Sequence, residues 1–389
     1  MFFGGNYILR ESMDTKKIIR AVTVSMSVRF FRPMVKDLQQ QGYEVVTVSS
    51  PGPELEGLRE LGVRTIEVPM ERRMSPLKDL KSLWQLIRVF CKERPYMVHS
   101  MTPKAGLLCM LAGWLTCVPR RVHTFTGLVW PTSKGLSRKI LMFTDWLTCA
   151  CATHVIPEGE GVKQDLQQHI TKKPMRVLGF GNVRGVDMEK FSRRPEVMNL
   201  ARELRNDGTF TFLFVGRIAR DKGLDELVAA FSKLFEQYNH VRLILVGWNE
   251  HDIDPVREET LMQIKNSPCI DFVGSKYGDD LLAYYAASDC FVFPSYREGF
   301  PNTVMEAGAM DLPCIVTDIN GSREIIEDGK NGVIIPSKNV DALYQAMEHM
   351  LMDKNYYNRY AKNARPMIAE RFEQGFVRKC LYEFYNDIM

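Results

Sequence analysis

FVFPSYREGFPNTVMEAGAMDLPCIVTD, residues 291–318, runs from a buried apolar stretch through a Gly/Pro-punctuated loop into a helical pattern and a second apolar stretch. The first stretch ends at Pro294, Gly299 and Pro301 interrupt the chain, and a helix is predicted to start near Asn302. Pro313–Thr317 then reads as the next strand. Strand, helix and strand in that order build a parallel sheet. Glu298 and Glu306 lie eight residues apart, one in the loop and one on the first turns of the helix. The start of a helix offers unbonded N–H groups and positive partial charge, which suits a diphosphate. Two carboxylates flanking it can grip sugar hydroxyls, although such a pair also fits a solvated cap and a surface charge.

The same alternation extends in both directions. Thr209–Val215, His240–Val246, Ile270–Val273 and Cys290–Phe293 are short β-rich runs separated by helical patterns such as Leu224–Tyr238 and Asp279–Ala287. An earlier series has strands at Lys17–Ser25, Tyr43–Ser49, Val63–Val68, Tyr96–Ser100 and Arg121–Thr126. There, Pro76–Arg94 carries apolar residues at 77, 80, 83, 84, 87 and 90, a helical period. The fold class is therefore α/β, two Rossmann-like doubly wound parallel-sheet domains, with ligands expected beyond the strand ends in a cleft that the domains face. The division reads as an extension over 1–13, a first domain over 14–190, a second over 191–366 and a C-terminal helix over 367–389, expected to cross back to the first.

Composition bounds the function. The 389 residues are 45% hydrophobic and 25% charged, which excludes disordered and fibrous classes. Residues 14–185 carry a net charge of +12 and residues 186–389 a net of −8, so the front half is the one suited to an anionic partner. A membrane surface, a diphosphate lipid and nucleic acid share that chemistry, but no nucleic-acid module is present in the sequence. The nine cysteines form no metal-spaced pair and fit reduced, buried thiols. No apolar run reaches bilayer-spanning length and the start lacks a signal-peptide pattern. No G-x-G-x-x-G follows the first strand, which disfavours a dehydrogenase.

A second anion-binding signal follows the strand at 209–215. Arg217 and Lys222, in Val215-Gly216-Arg217-Ile218 and Asp221-Lys222-Gly223, sit past a strand's C-terminal end, where a guanidinium fork and an ammonium can meet a diphosphate. With these residues in view, the second half resembles the donor-binding domain of GT-B glycosyltransferases of family 4. The matching stretches are GFGNVRGVDMEKF (179–191), VGRIARDKG (215–223), ILVGWNE (244–250) and residues 270–332, with Glu298 and Glu306 on the family's E-x7-E motif.

The resemblance implies a retaining transferase that uses a nucleotide-diphosphate sugar, UDP-linked by family habit, with no metal and no cofactor. It implies that Arg217, Lys222 and Glu298 are catalytic with His123. Arg217 and Lys222 would hold the diphosphate, Glu298 the sugar hydroxyls and Glu306 the ribose. The amides of Gly299, Phe300, Pro301, Asn302 and Thr303 would line the phosphate cradle, Pro301 without an N–H. Gly216 and Gly247 would border the donor, and Gly274, Lys276 and Tyr277 the base.

Where the family often has a Gly-Gly loop after the first strand, this chain has Ser25-Met26-Ser27-Val28-Arg29-Phe30-Phe31. Ser27, Arg29, Phe30 and Phe31 are therefore expected on the acceptor side, with Thr126 and Gly127 of HTFTGL and with Asn182. SVRFFRP and HTFTGL are similar to the subgroup that extends polyprenyl-diphosphate sugars in capsule, O-antigen and N-glycan assembly. That subgroup implies a lipid-linked acceptor and a peripheral place at the inner face of the plasma membrane. Lys134, Arg138 and Lys139 beside Leu136, Ile140, Leu141 and Phe143 fit an interfacial patch as well as an ordinary amphipathic helix. The alternatives are a sugar-nucleotide epimerase of the same architecture and a non-catalytic subunit.

Overall fold

The computed structural model describes residues 16–250 and 254–389; the expected extension over 1–13 lies outside the described residues. Two six-stranded sheets organise the chain. The strands of the first are β1 Lys17–Ala21, β2 Glu44–Ser49, β3 Arg64–Glu67, β4 Met97–Met101, β5 Arg120–Phe125 and β6 His154–Pro157, in the order β3-β2-β1-β4-β5-β6. The second has β7 Phe210–Val215, β8 Val241–Val246, β9 Ile270–Gly274, β10 Cys290–Phe293, β11 Cys314–Thr317 and β12 Gly332–Ile335, in the order β12-β11-β10-β7-β8-β9. Read from its β9 edge, the second sheet repeats the strand order of the first. Each sheet starts in its middle, adds two strands on one side, then crosses to the other, which is the Rossmann order with one switch point.

The sequence explains why these runs became central strands. β7 is FTFLFV and β8 VRLILV, with nearly every residue buried. Strands apolar on both faces need helices on both faces, and short right-handed crossovers supply them. The helices Leu224–Gln237 and Val340–Met352 pack together over the second sheet through Leu227, Phe231, Leu234, Leu343, Met347 and Met350.

Close packing divides the described chain into two compact units. The first takes residues up to Thr124 together with Thr144–Val155; the second takes Phe125–Phe143 and Ile156 onward. The stretch 156–190 and the loop after β5 thus pack within the second unit. Val186 N–H donates to the Phe372 carbonyl at 2.8 Å and Gln374 N–H to that of Val186 at 2.9 Å. The C-terminal helix Gln374–Ile388 sets Phe376 against Phe180, with ring centroids 5.9 Å apart.

Two local details follow from packing and proline. Over residues 31–41 the chain is α-helical only at Val35–Gln40, after two 3-10 turns, because Pro33 has no N–H with which to continue an α-helix through it. The apolar stripe of the helix Pro76–Glu93 splits: Phe90 is buried, whereas Leu77, Leu80 and Trp84 are 85%, 62% and 52% exposed. All nine cysteines are free; five are buried, but Cys91 and Cys117 are exposed.

Candidate active site

The switch point of the second sheet lies between β7 and β10, where consecutive crossovers leave in opposite directions. Both charged motifs emerge there. After β7 the chain stays alongside the segment following β8: Gly216 N–H donates to the Val246 carbonyl, and Ile218 N–H to that of Trp248, each at 2.9 Å. Gly247 N–H in turn donates to the Gly274 carbonyl at 2.9 Å, so Gly216, Gly247 and Gly274 step across three neighbouring strand ends. Glycine is required at the middle one. Gly247 has φ +149°, and a methyl group there would stand 1.7 Å from the Gly216 carbonyl oxygen. The Lys276 ammonium sits 5.8 Å from the centroid of the Tyr284 ring, and Tyr277 is 77% exposed at the entry to the helix Gly278–Ala287.

Carboxylates aim both cations. Arg217 lies 3.5 Å from Asp221 and 3.6 Å from Glu250. Lys222 ends a one-turn 3-10 helix and pairs directly with Glu298, whose carboxylate also accepts from Ser295 Oγ at 3.0 Å. Gly223 makes the turn possible: it has φ +73°, and a Cβ would lie 2.1 Å from the Pro294 carbonyl oxygen. A lysine ammonium has three donors and an arginine five, so these pairs orient the cations while leaving donors for a phosphate.

The E-x7-E carboxylates separate by environment. Glu298 is in the loop, and Glu306 is buried on the helix Asn302–Ala309. Glu306 accepts from Arg184 at 2.8 Å and from the Tyr285 hydroxyl at 3.4 Å. Burial, with the Glu306 charge beside it, keeps the Tyr285 phenol well above its usual range, so it stays a donor. The helix begins after Pro301 with no acidic residue in its first turn. Asn182 reaches it, donating from Nδ2 to Asn302 Oδ1 at 3.3 Å. Asn182 adopts φ +62°, a left-handed conformation that asparagine tolerates, and its Oδ1 closes the turn by accepting from Arg184 and Gly185 N–H. Phe300 is buried against Phe372, so only its backbone can face a ligand.

Thr126 and Gly127 pack onto the same loop. A methyl on Gly299 would lie 2.3 Å from the Thr126 carbonyl oxygen, and one on Gly127 3.1 Å from Gly299 Cα. Lys222–Glu298 and Asn182–Asn302 are thus direct pairs, and Thr126, Gly127 and Gly299 are in backbone contact. Asp279 sits in the first turn of its helix and pairs with Arg194.

The remaining predicted residues belong to the first unit. Ser27, Arg29 and Phe30 lie in the 3-10 turn Ser25–Phe30 after β1, at that sheet's own switch point. Phe31 does not offer an apolar face to an acceptor: it is 1% exposed and packs under the Arg20 guanidinium, 4.9 Å from the ring centroid. His123 is 1% exposed, its Nδ1 is 2.9 Å from Ser100 Oγ, and a methyl on Gly106 would stand 2.3 Å from its ring. Burial lowers its pKa to about 3, so it is a neutral, positioned imidazole and not an acid near pH 7. Sequence reasoning missed Arg184, although it lies inside the quoted GFGNVRGVD, and missed Tyr285, Asp221 and Glu250.

Comparison with known structures extends the fold. HepE of Anabaena, crystallised in complex with UDP, superposes with a TM-score of 0.79 over 95% of this chain and 100% of its own, at 17% identity. Two Rossmann-type units of this kind define the GT-B glycosyltransferase class. Residues 199–367 match the family described as glycosyl transferases group 1, and residues 27–181 the glycosyl transferase 4-like domain. The capsular polysaccharide biosynthesis glycosyltransferase CapM of Staphylococcus aureus is 31% identical over 97% of this chain and 98% of its own. The UDP-Gal:alpha-D-GlcNAc-diphosphoundecaprenol alpha-1,3-galactosyltransferase of Escherichia coli is 30% identical over 80% of each. The chain belongs to this family of group 1, family 4-like glycosyltransferases.

Proposed function

We propose that this glycosyltransferase moves a sugar, with retention of configuration and without a metal, from a UDP-sugar to a polyprenyl-diphosphate-linked acceptor in surface polysaccharide assembly. The observation that carries the donor half is the Lys222–Glu298 pair at the switch point, next to Arg217 and the start of the helix Asn302–Ala309. In this reading Arg217, Lys222 and the helix amides neutralise the leaving diphosphate, the task a metal performs elsewhere. Glu298 holds sugar hydroxyls and Glu306 the ribose, while the acceptor hydroxyl attacks the face that the diphosphate leaves. Gly274, Lys276 and Tyr277 border the base.

The acceptor half rests on the printed acceptor of the E. coli relative, diphosphoundecaprenol-linked, and on the S. aureus relative's role in capsule synthesis. The deciding experiment offers a panel of UDP-, GDP- and ADP-sugars with a polyprenyl-diphosphate sugar and reads products by mass. One product with a UDP-sugar, equal turnover in EDTA and an anomeric signal that matches the donor's are expected. Donor consumption without any acceptor product would overturn the reading.

The same proposal places the enzyme at the cytoplasmic membrane surface. Among the described residues no helix is long and apolar enough to cross a membrane. The helix Gly135–Cys151 exposes Leu136, Ile140 and Phe143 beside Lys134, Arg138 and Lys139. The helix Pro76–Glu93 exposes Leu77, Leu80 and Trp84 beside Lys78, Lys81 and Arg88. Apolar side chains flanked by cations suit an anionic lipid interface. Sedimentation with anionic liposomes should be strong at low salt and weak at high salt, and should drop in Leu77→Glu and Leu136→Glu variants. Equal recovery with neutral and anionic vesicles would overturn this placement.

A further inference from the structure

Glu158 has no part in the chemistry above, yet it is 4% exposed. It follows β6, and its backbone is held from both sides: its N–H donates to the Phe125 carbonyl at 3.0 Å, and its carbonyl accepts from Asn182 N–H at 2.7 Å. Asn182 is the residue whose side chain reaches Asn302. A methyl on Gly181 would lie 2.7 Å from both the Glu158 carbonyl oxygen and the Phe300 ring, so this backbone passes directly behind the loop that carries Glu298. Among the described residues, nothing hydrogen-bonds the Glu158 carboxyl. The neighbouring Glu324 is different, because its carboxylate accepts from Glu160 and Gly161 N–H at 2.6 and 3.2 Å. A buried polar side chain normally has a hydrogen-bond partner.

We propose that Glu158 is a third carboxyl of the donor site, giving a hydrogen bond to an oxygen of the bound nucleotide sugar. The proposal rests on the reading of Lys222 and Glu298 as that site. Burial, reinforced by the charges of Glu298 and Glu324, pushes the carboxyl well above the usual carboxylate range. That shift favours the protonated form, whose O–H can donate to an oxygen as well as accept. No proton is transferred; the O–H bond stays intact while the sugar or phosphate oxygen accepts it.

Two full-length variants separate this role from packing. Glu158→Gln keeps the shape and a donor; Glu158→Met keeps apolar volume and has none. Calorimetric titration uses UDP-glucose, UDP-galactose and their N-acetyl derivatives, carrying forward the tightest binder. Gln is expected to bind within about threefold of wild type and Met about tenfold or more weakly, at unchanged melting temperature. Infrared spectra should show the carbonyl band of a protonated carboxylic acid, missing from the Gln variant. Met binding like wild type, Gln binding as weakly as Met, or no such band would each overturn the proposal. If Met fails to fold, the Gln titration and the spectrum still decide. Lys222→Ala is the control: unchanged binding there sinks the donor-site reading itself, whereas its loss with wild-type Met binding sinks only Glu158.

Discussion

Replacing Lys222 by alanine is expected to lower kcat/KM by about 100-fold or more, roughly 3 kcal/mol of transition-state stabilisation. The ammonium is held in place by Glu298, and its side chain is only 13% exposed, so in the proposed reaction it would meet the leaving group with little rearrangement. Charge develops on the diphosphate as the glycosidic bond breaks, and a fixed cation gains most from that change. Arg217→Ala should behave alike, and Glu298→Ala should lose turnover by removing both the sugar contact and the anchor for Lys222. Steady-state kinetics with the active donor, alongside thermal unfolding, separates chemistry from folding. Near-wild-type turnover in all three variants would reject the site assignment.

The second large effect is structural. Gly247→Ala should destabilise the protein by about 3 kcal/mol or more. The new methyl group would meet the Gly216 carbonyl oxygen at 1.7 Å, and φ +149° is itself strained for alanine. Relief requires the ends of β7 and β8 to part, which moves Arg217 as well. Gly208→Ala provides the comparison: φ is +81° there, but nothing lies within 4 Å of a new Cβ. It should cost only the backbone strain, about 1 kcal/mol. Urea unfolding of both proteins measures the difference, and equal stabilities would contradict the described packing.

His123 shows how a residue's place can be legible while its chemistry is not. Its position at the end of a strand is written in the sequence. Its neutrality comes from burial beside Ser100 and Gly106, which are 23 and 17 residues away. Phe31 is similar: SVRFFRP pairs cations with aromatic rings, but only packing sends Phe31 inward under Arg20. For Leu77, Leu80 and Trp84 the helix was legible and their exposure was not. A helical apolar period says that one face differs from the other, and cannot say whether protein covers all of it.

The sequence by itself determined the alternation of strand and helix, the positions of the turns and the two charged motifs that follow strands. Those signals are local: apolar runs, glycine at positive φ, proline at helix entries and residue types at fixed spacing. Tertiary structure alone decided which distant charges meet. Arg184 and Glu306 are 122 residues apart and Lys222 and Glu298 are 76 apart, yet each pair is in contact. It also buried Glu158 where, among the described residues, none hydrogen-bonds its carboxyl. Such pairings depend on strand order and on which segments pack behind a loop, and burial, which lowers the pKa of His123 and raises that of Glu158, arises only when those segments come together.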